Sequence, residues 1–157
     1  MRRAKNPTEG TNHMADETYR AIAERLLVEG YGRGDSDVLS GLVAPGFIDH
    51  ALPDGFPPSL EGTRSFIVML RGAMPDLRYT IEDSFVADNR LAIRVTGHGT
   101  MRGPLLGHSP SGKEATWPEV HICSLEQGRL TEHWSIIDWL GMFKQLGLMP
   151  GVRSIEI

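Results

Sequence analysis

The sequence predicts an α+β fold, with N-terminal helices packed against a strongly curved antiparallel sheet. Three observations carry this. Apolar residues recur at helical spacing as far as Pro75, and from there the period becomes two over long stretches joined by short turns. Helical segments first and long hairpins afterwards is the α+β order. A chain of 157 residues with 40% apolar content is long enough for one domain with a real core.

Residues 1–15 open the chain. "MRRAKNPTEGTNH" is polar and aperiodic and reads as a disordered leader or tag remnant. His13-Met14 is equally readable as a junction, with Met14 the start. "ADETYRAIAERLLVEGYGRGD" places Tyr19, Ile22, Ala23, Leu26 and Leu27 on one helical stripe, which Gly30, Gly32 and Gly34 end. "SDVLSGLVAP" is a short second helix stopped before Pro45, and "GFIDHAL" is a short extended piece. Residues 53–60 form a Pro/Gly loop. "EGTRSFIVMLRGAMP" is a third helix with Phe66, Ile67 and Leu70 on one face.

"LRYTIEDSFVADNRLAIRVTGHGTM" reads as two strands joined at Asp88-Asn89. A two-residue turn there sets Asp83 opposite Arg94 as a surface ion pair and Tyr79 opposite His98 as a packing pair. "RGPLLGHSPSGKE" is a flexible connection. "ATWPEVHICSLEQGRLTEHWSIID" is a second hairpin turning at Gln127-Gly128, and "WLGMFKQLGL" is a closing amphipathic helix. Residues 151–157 are a tail. Without an internal repeat or a linker, residues 16–150 read as a single domain. Helices across the concave side of two long hairpins leave a pocket that is apolar with a few placed polar groups.

Composition narrows the function. A net charge of −4 with scattered acids argues against a nucleic-acid binder, which carries a basic stripe. No apolar run approaches the roughly 20 residues that span a bilayer, and the N-terminus lacks the apolar region of a secretory signal. One cysteine, Cys123, precludes an internal disulfide and fits a reducing cytoplasm. The six histidines are dispersed, with no His-x-His, HExxH or paired cysteines, so no metal is expected. GxSxG, GxGxxG and P-loop patterns are absent, and "GRGD" at 32–35 lacks the Lys-Ser/Thr that follows a phosphate loop. Any enzyme here is expected to work by proton transfer and positioning, without a cofactor.

The second hairpin carries the candidate chemistry. A two-residue turn sets Glu126 opposite Arg129, His121 opposite Trp134, Glu119 opposite Ile136 and Trp117 opposite Asp138. Trp117, Glu119, His121, Cys123, Glu132, Trp134, Ile136 and Asp138 then share one face. A loop one residue longer puts the two strands out of step. If that face is interior, burial raises the Asp138 pKa and makes it a proton carrier near neutrality; alternatively, Asp138 caps the closing helix. His121 is either a core histidine or a group that orients or protonates a substrate oxygen. Trp117 and Trp134 are core residues or flat walls for a polycyclic ligand, and Cys123 reads as a small buried hydrophobe. His50, beside Asp49 at the mouth of the Pro/Gly loop, is a turn residue or a second acid/base group.

From Thr18 to Leu148 the chain resembles the SnoaL-like polyketide cyclases of the nuclear transport factor 2-like superfamily. The matching blocks are "LVAPGFIDH", "EGTRSF", "MPDLRYTIED", "GHGTMRGPLLG", "PSGK" and "EHWSIIDWLGMFKQLGL". The resemblance implies a cone-shaped sheet wrapped by helices, a homodimer or homotetramer, and metal-free aldol ring closure of an aromatic polyketide intermediate. The acid/base aspartate of such cyclases matches Asp138, with His121 in support. Candidate substrate contacts are His50, Trp117, Trp134, Tyr31, Phe66 and His98. Two stretches depart from the family. Trp-Asn-x-Gly-Asp is common after the first helix where this chain has Tyr31-Gly32-Arg33-Gly34-Asp35. Gly-Ile-Pro-Pro-Thr-Gly is common where it has Gly107-His108-Ser109-Pro110-Ser111-Gly112. A hydroxylase-like or isomerase homologue and a non-catalytic binder of a small hydrophobic molecule are the rival readings.

Overall fold

The computed structural model describes residues 18–149; the leader over 1–15 and the tail over 151–157 lie outside that range. Helix α1 covers residues 18–33 and widens into a π-helix over Arg25–Gly32. Its stripe of Ile22, Ala23, Leu26, Leu27 and Tyr31 is buried, as helical spacing requires of a helix with one apolar face. Helix α2 (Ser36–Leu42) starts at Asp35, whose carboxylate accepts the amides of Asp37 and Val38. Strand β1 (Val43–Asp49) follows directly. Helix α3 (Leu60–Ala73), capped by Ser59, buries Thr63, Phe66, Ile67 and Leu70.

The remaining strands are β2 (Arg78–Ala87), β3 (Arg90–Thr100), β4 (Glu114–Glu126) and β5 (Arg129–Ile137), and α4 (Trp139–Leu146) closes the described chain. They form one five-stranded sheet in the order β1-β5-β4-β3-β2. β1 runs parallel to β5, and the other pairs are antiparallel. The expected α+β fold is thus present, with a curved sheet and N-terminal helices. Both hairpin turns fall where expected. Gln127 and Gly128 both take positive φ, at 50° and 75°, the twist that suits a two-residue hairpin loop.

Register departs from the sequence reading at two places, and both are β-bulges. Asp83 does face Arg94, and the two form a 2.6 Å ion pair. Glu82 is an extra residue on β2, however, so Tyr79 faces Gly97 and His98 faces Arg78. On β5, Glu126 faces Arg129 and Leu125 faces Leu130, but Ser124 faces Glu132. Thr131 is therefore unpaired, and every residue beyond it is shifted by one. His121 pairs with Ser135, not Trp134, and Glu119 pairs with Ile137, not Ile136. A one-residue slip moves each side chain to the opposite face.

The concave face of β4 is as expected: Ala115, Trp117, Glu119, His121, Cys123 and Leu125 are buried in strict alternation. The concave face of β5 is instead Leu130 and His133, with Ser135 and Ile137 half-buried. Glu132, Trp134 and Ile136 lie on the convex side, where Ile136 is 78% exposed. Trp117 lies across Gly97 of β3, where a Cβ would sit 2.5 Å from the indole. Only glycine lets the ring lie flat against its neighbouring strand.

Candidate active site

Between the concave sheet face and the helices lies a narrow, largely apolar cleft. Its walls include Leu52 and Trp139, with Phe66, Leu70 and Met74 from the α3 region. Its polar floor comes from β4 and β5, and the register above dictates its composition. Glu119 and His121 are two apart on β4 and so share a face. Asp49 on β1 lies directly opposite His133 on β5, and His121 lies diagonal to His133 through Ser135 and Cys123.

These four side chains form one continuous hydrogen-bonded chain. Glu119 Oε2 is 2.8 Å from His121 Nε2. His121 Nδ1 is 2.9 Å from His133 Nε2, and His133 Nδ1 is 2.9 Å from Asp49 Oδ1. All four residues are at most 3% exposed, which sets this chain apart from the surface ion pairs of the protein. At one end the Trp117 indole N–H donates to Glu119 Oε1. At the other end the Thr63 hydroxyl donates to Asp49 Oδ2 at 2.7 Å and the Ala51 amide to Oδ1 at 3.0 Å.

Burial acts against charge throughout this floor. It pushes the Asp49 pKa up, but the bonds from His133, Thr63 and Ala51 outweigh it and hold the carboxyl below its ordinary value. It drives His121 below its ordinary value, partly opposed by Glu119. It also raises Tyr31 and Tyr79 well above 10.0, with Asp49 adding to the first and Glu119 to the second. Both phenols therefore stay protonated. Cys123 is pushed up to about 12 by burial and is inert as a nucleophile at neutral pH. Among the described residues, no group of three or more His, Cys, Asp or Glu side chains is set to hold a metal ion.

Several residues expected in the site are there. His121, Trp117, Tyr31 and Phe66 all line the cleft. Tyr31 packs against both imidazoles, at ring-centroid distances of 6.4 and 6.3 Å. Asp138, His50, Trp134 and His98 are not among the residues lining it. Asp138 is exposed and accepts the Gly141 amide at 2.8 Å as the N-cap of α4, the cap alternative for that carboxylate. The Thr131 bulge puts Trp134 on the convex face, where His50 stacks on it at 4.7 Å and Arg90 lies 5.3 Å from its ring. His50 also pairs with Glu132 at 2.8 Å. His98 points away from the cleft and bonds Thr116 at 2.9 Å.

Two residues of the chain of four, His133 and Asp49, had no role assigned from sequence, and Glu119 had only its face. The Asp49–His133 bond spans 84 positions through a parallel pairing, which leaves no local sequence signal. Glu119 was legible in principle: a carboxylate alternating with Trp117, His121 and Cys123 on a buried face needs partners to stay there.

A helix-wrapped curved sheet enclosing an apolar cleft over a buried floor of carboxylates and imidazoles is an arrangement suited to acid/base chemistry on a small molecule. The sequence model of the SnoaL-like polyketide cyclases matches residues 21–146, and the chain belongs to that family. It is 24% identical over 132 residues to aklanonic acid methyl ester cyclase DauD of Streptomyces sp. (strain C5), covering 78% of each chain. To the cyclase of the same description, DnrD of Streptomyces peucetius, it is 23% identical, covering 78% of this chain and 87% of that one. Among solved structures it superposes on TsrD from Streptomyces laurentii with a TM-score of 0.77 at 27% identity, covering 85% of this chain and 97% of that one. No helix among the described residues is long and apolar enough to cross a membrane.

Proposed function

We propose that this protein is a cofactor-independent cyclase that closes a ring of an aromatic polyketide intermediate by intramolecular aldol addition. The observation that carries the reading is Glu119. It is a buried carboxylate lining an apolar cleft and backed by an unbroken hydrogen-bonded chain. A carboxylate offers about four lone-pair sites. Trp117 and His121 occupy two, which leaves room for a substrate proton. The acid/base role thus passes from the exposed Asp138 to Glu119, with His121 holding it in place.

The reaction balances without an external reagent. Glu119 takes a proton from a methylene flanked by carbonyls, and the negative charge passes to the enolate. The enolate carbon attacks a carbonyl carbon of the same molecule, a carbon–carbon bond forms, and the carbonyl π pair becomes an alkoxide. Glu119 returns the proton to that oxygen. The walls hold the two reacting carbons together, so positioning replaces an encounter, and the Tyr31 phenol supplies a donor for the developing oxyanion. The similarity to two aklanonic acid methyl ester cyclases, within the polyketide cyclase family, supports a polyketide ester as the substrate.

The test is Glu119→Gln against the parent on a keto-ester polyketide intermediate. The amide keeps the size and loses the base, and the expected loss in kcat is about 10²-fold or more. Equal rates would overturn the mechanism. A product heavier by one oxygen would instead establish the hydroxylase alternative, which needs an oxidant, and ligand binding without turnover would establish a binder.

The convex sheet face supports a homodimer. Ile48, Phe85, Val120, Ile122 and Ile136 are each about 40–80% exposed there, and contiguous apolar patches of this kind mark interaction sites. A second copy is the proposed occupant, and Ile136→Glu should then give a monomer by light scattering. The single buried cysteine is in keeping with a cytoplasmic location.

A further inference from the structure

We infer that helix α4 is a lid over the cleft, latched to β4 by the carboxamide of Gln145 and swinging about Asp138 to admit a flat, multi-ring ligand. The inference rests on the reading of the cleft as the site of a polyketide-sized substrate, and its test reads ligand entry rather than turnover.

The cleft holds about 20 Å³ of free space, roughly room for one water, whereas small-molecule sites enclose roughly 300–1,000 Å³. A wall must therefore move. The sheet cannot part without breaking the ladders that carry the polar floor. Helices α1 and α3 are tied together, because the Arg71 guanidinium donates to the carbonyls of Gly32 at 2.6 Å and Leu77 at 3.1 Å. The Pro/Gly loop is pinned at both ends. The His50 amide donates to the His133 carbonyl at 2.8 Å, and the Asp49 amide to the Pro58 carbonyl at 3.4 Å. The loop also lies directly on α3, where a Cβ at Gly62 would overlap the Pro57 carbonyl.

Helix α4 is held more lightly. It contributes Trp139 and Met142 to the cleft wall. Its backbone meets the sheet where the Asp138 amide donates to the Pro118 carbonyl at 3.2 Å. The β4–β5 ladder stops at Glu119 and Ile137, so the backbone of Thr116 lies beyond the last strand partner on that edge. Gln145 takes the vacant place. Its Oε1 accepts the Thr116 amide at 3.0 Å, and its Nε2 donates to the Thr116 carbonyl at 2.8 Å. One side-chain amide thus imitates a strand residue, but in an exposed position that water can compete for.

Both ends of α4 are capped from within. Asp138 accepts the Gly141 amide, and the amides of Gly147 and Leu148 return to the Lys144 and Phe143 carbonyls. The helix can therefore move as a rigid body with its own bonds intact. Opening exposes Met142 and Leu146, now at most 1% exposed, which keeps the closed state dominant until apolar rings replace them.

The test follows uptake of 1,8-dihydroxyanthraquinone by the full chain, with stopped-flow detection of tryptophan quenching. A gated cleft gives an observed rate that saturates with dye concentration, its plateau being the opening rate. Gln145→Glu keeps the size but cannot donate to the Thr116 carbonyl, and should raise that plateau at least about fivefold. Hydrogen exchange should speed up in α4 in this variant and slow there when dye binds. A rate that rises without saturating, a plateau unchanged by Gln145→Glu, dye protection confined to residues 51–58, or no uptake by the parent would each overturn the lid. Gated uptake without turnover of a keto ester leaves the lid standing and removes the cyclase reading; turnover with ungated uptake does the reverse.

Discussion

His121 and His133 lie parallel, their ring planes 8° apart and their centroids separated by 5.2 Å, with a nitrogen of each 2.9 Å from the other. The two residues sit on different strands and are joined by no direct backbone pairing. Their contact is a diagonal one across β4 and β5, which depends on both strands keeping register. It links a carboxylate supplied by β1 to one supplied by β4, so that the floor of the cleft behaves as one unit. Four predictions follow from this floor and its surroundings.

Asp138 is expected to matter for stability and not for catalysis. Asn is as good an N-cap as Asp, so Asp138→Asn should leave both Tm and kcat close to parental values. Asp138→Ala removes the bond to the Gly141 amide and should cost about 1 kcal/mol. For a chain of this length that lowers Tm by roughly 2–4 °C, read by thermal melting, with kcat again unchanged. A large kcat loss in Asp138→Asn would restore that aspartate as the acid/base group.

Gly97→Ala should disturb the site from the far side of an indole. The added Cβ would meet Trp117 ring atoms at 2.5–2.8 Å, and a ring fixed by its bond to Glu119 has little room to retreat. Overpacking of this kind costs about 1–3 kcal/mol. The checks are denaturant unfolding and tryptophan fluorescence, where loss of the indole–carboxylate bond should change the emission.

Tyr31→Phe tests the donor. The ring stays, so packing against His121 and His133 is kept, and only the hydroxyl is lost. Removing one oxyanion donor from a site typically costs about 10²–10³ in kcat, and a loss of about that order is expected here. The expected signature is a lower kcat with an almost unchanged KM.

Acid should destabilise the protein in two steps. His121 is held below its ordinary pKa of about 6.5. Below that pH the unfolded chain binds a proton that the folded chain does not, so stability falls as pH falls. Asp49 is held below its ordinary carboxyl value, and its contribution is present above about 3.9 and lost as pH drops through the folded pKa. Melting temperature should thus decline from about pH 6.5 downward and steepen below about pH 4. His121→Gln should flatten the first limb and Asp49→Asn the second.

The sequence reading recovered the helices, both hairpins, their turns and the buried face of β4, because each rests on local spacing. It misassigned β5 for two physical reasons. A bulge has no local signature in "RLTEHW", where Thr131 looks like any strand residue. The rule that the apolar face is the inner one also fails on a sheet whose outer face carries Val120, Ile122, Trp134 and Ile136. With both faces apolar, alternation on β5 could not say which one the cleft receives. The parallel pairing of β1 with β5, which delivers Asp49, was beyond any reading of neighbouring residues.

Thr131 thus acts on β5 much as an inserted letter acts on a message. The same downstream residues carry two alternative texts, one written in Trp134 and Ile136, the other in His133, Ser135 and Ile137, and the extra residue decides which text the cleft reads. Deleting it would present the cavity with an indole and an aliphatic chain, and would turn the imidazole outward to solvent. A greasy receptacle and a cleft floored by a hydrogen-bonded imidazole are in this strand one residue apart.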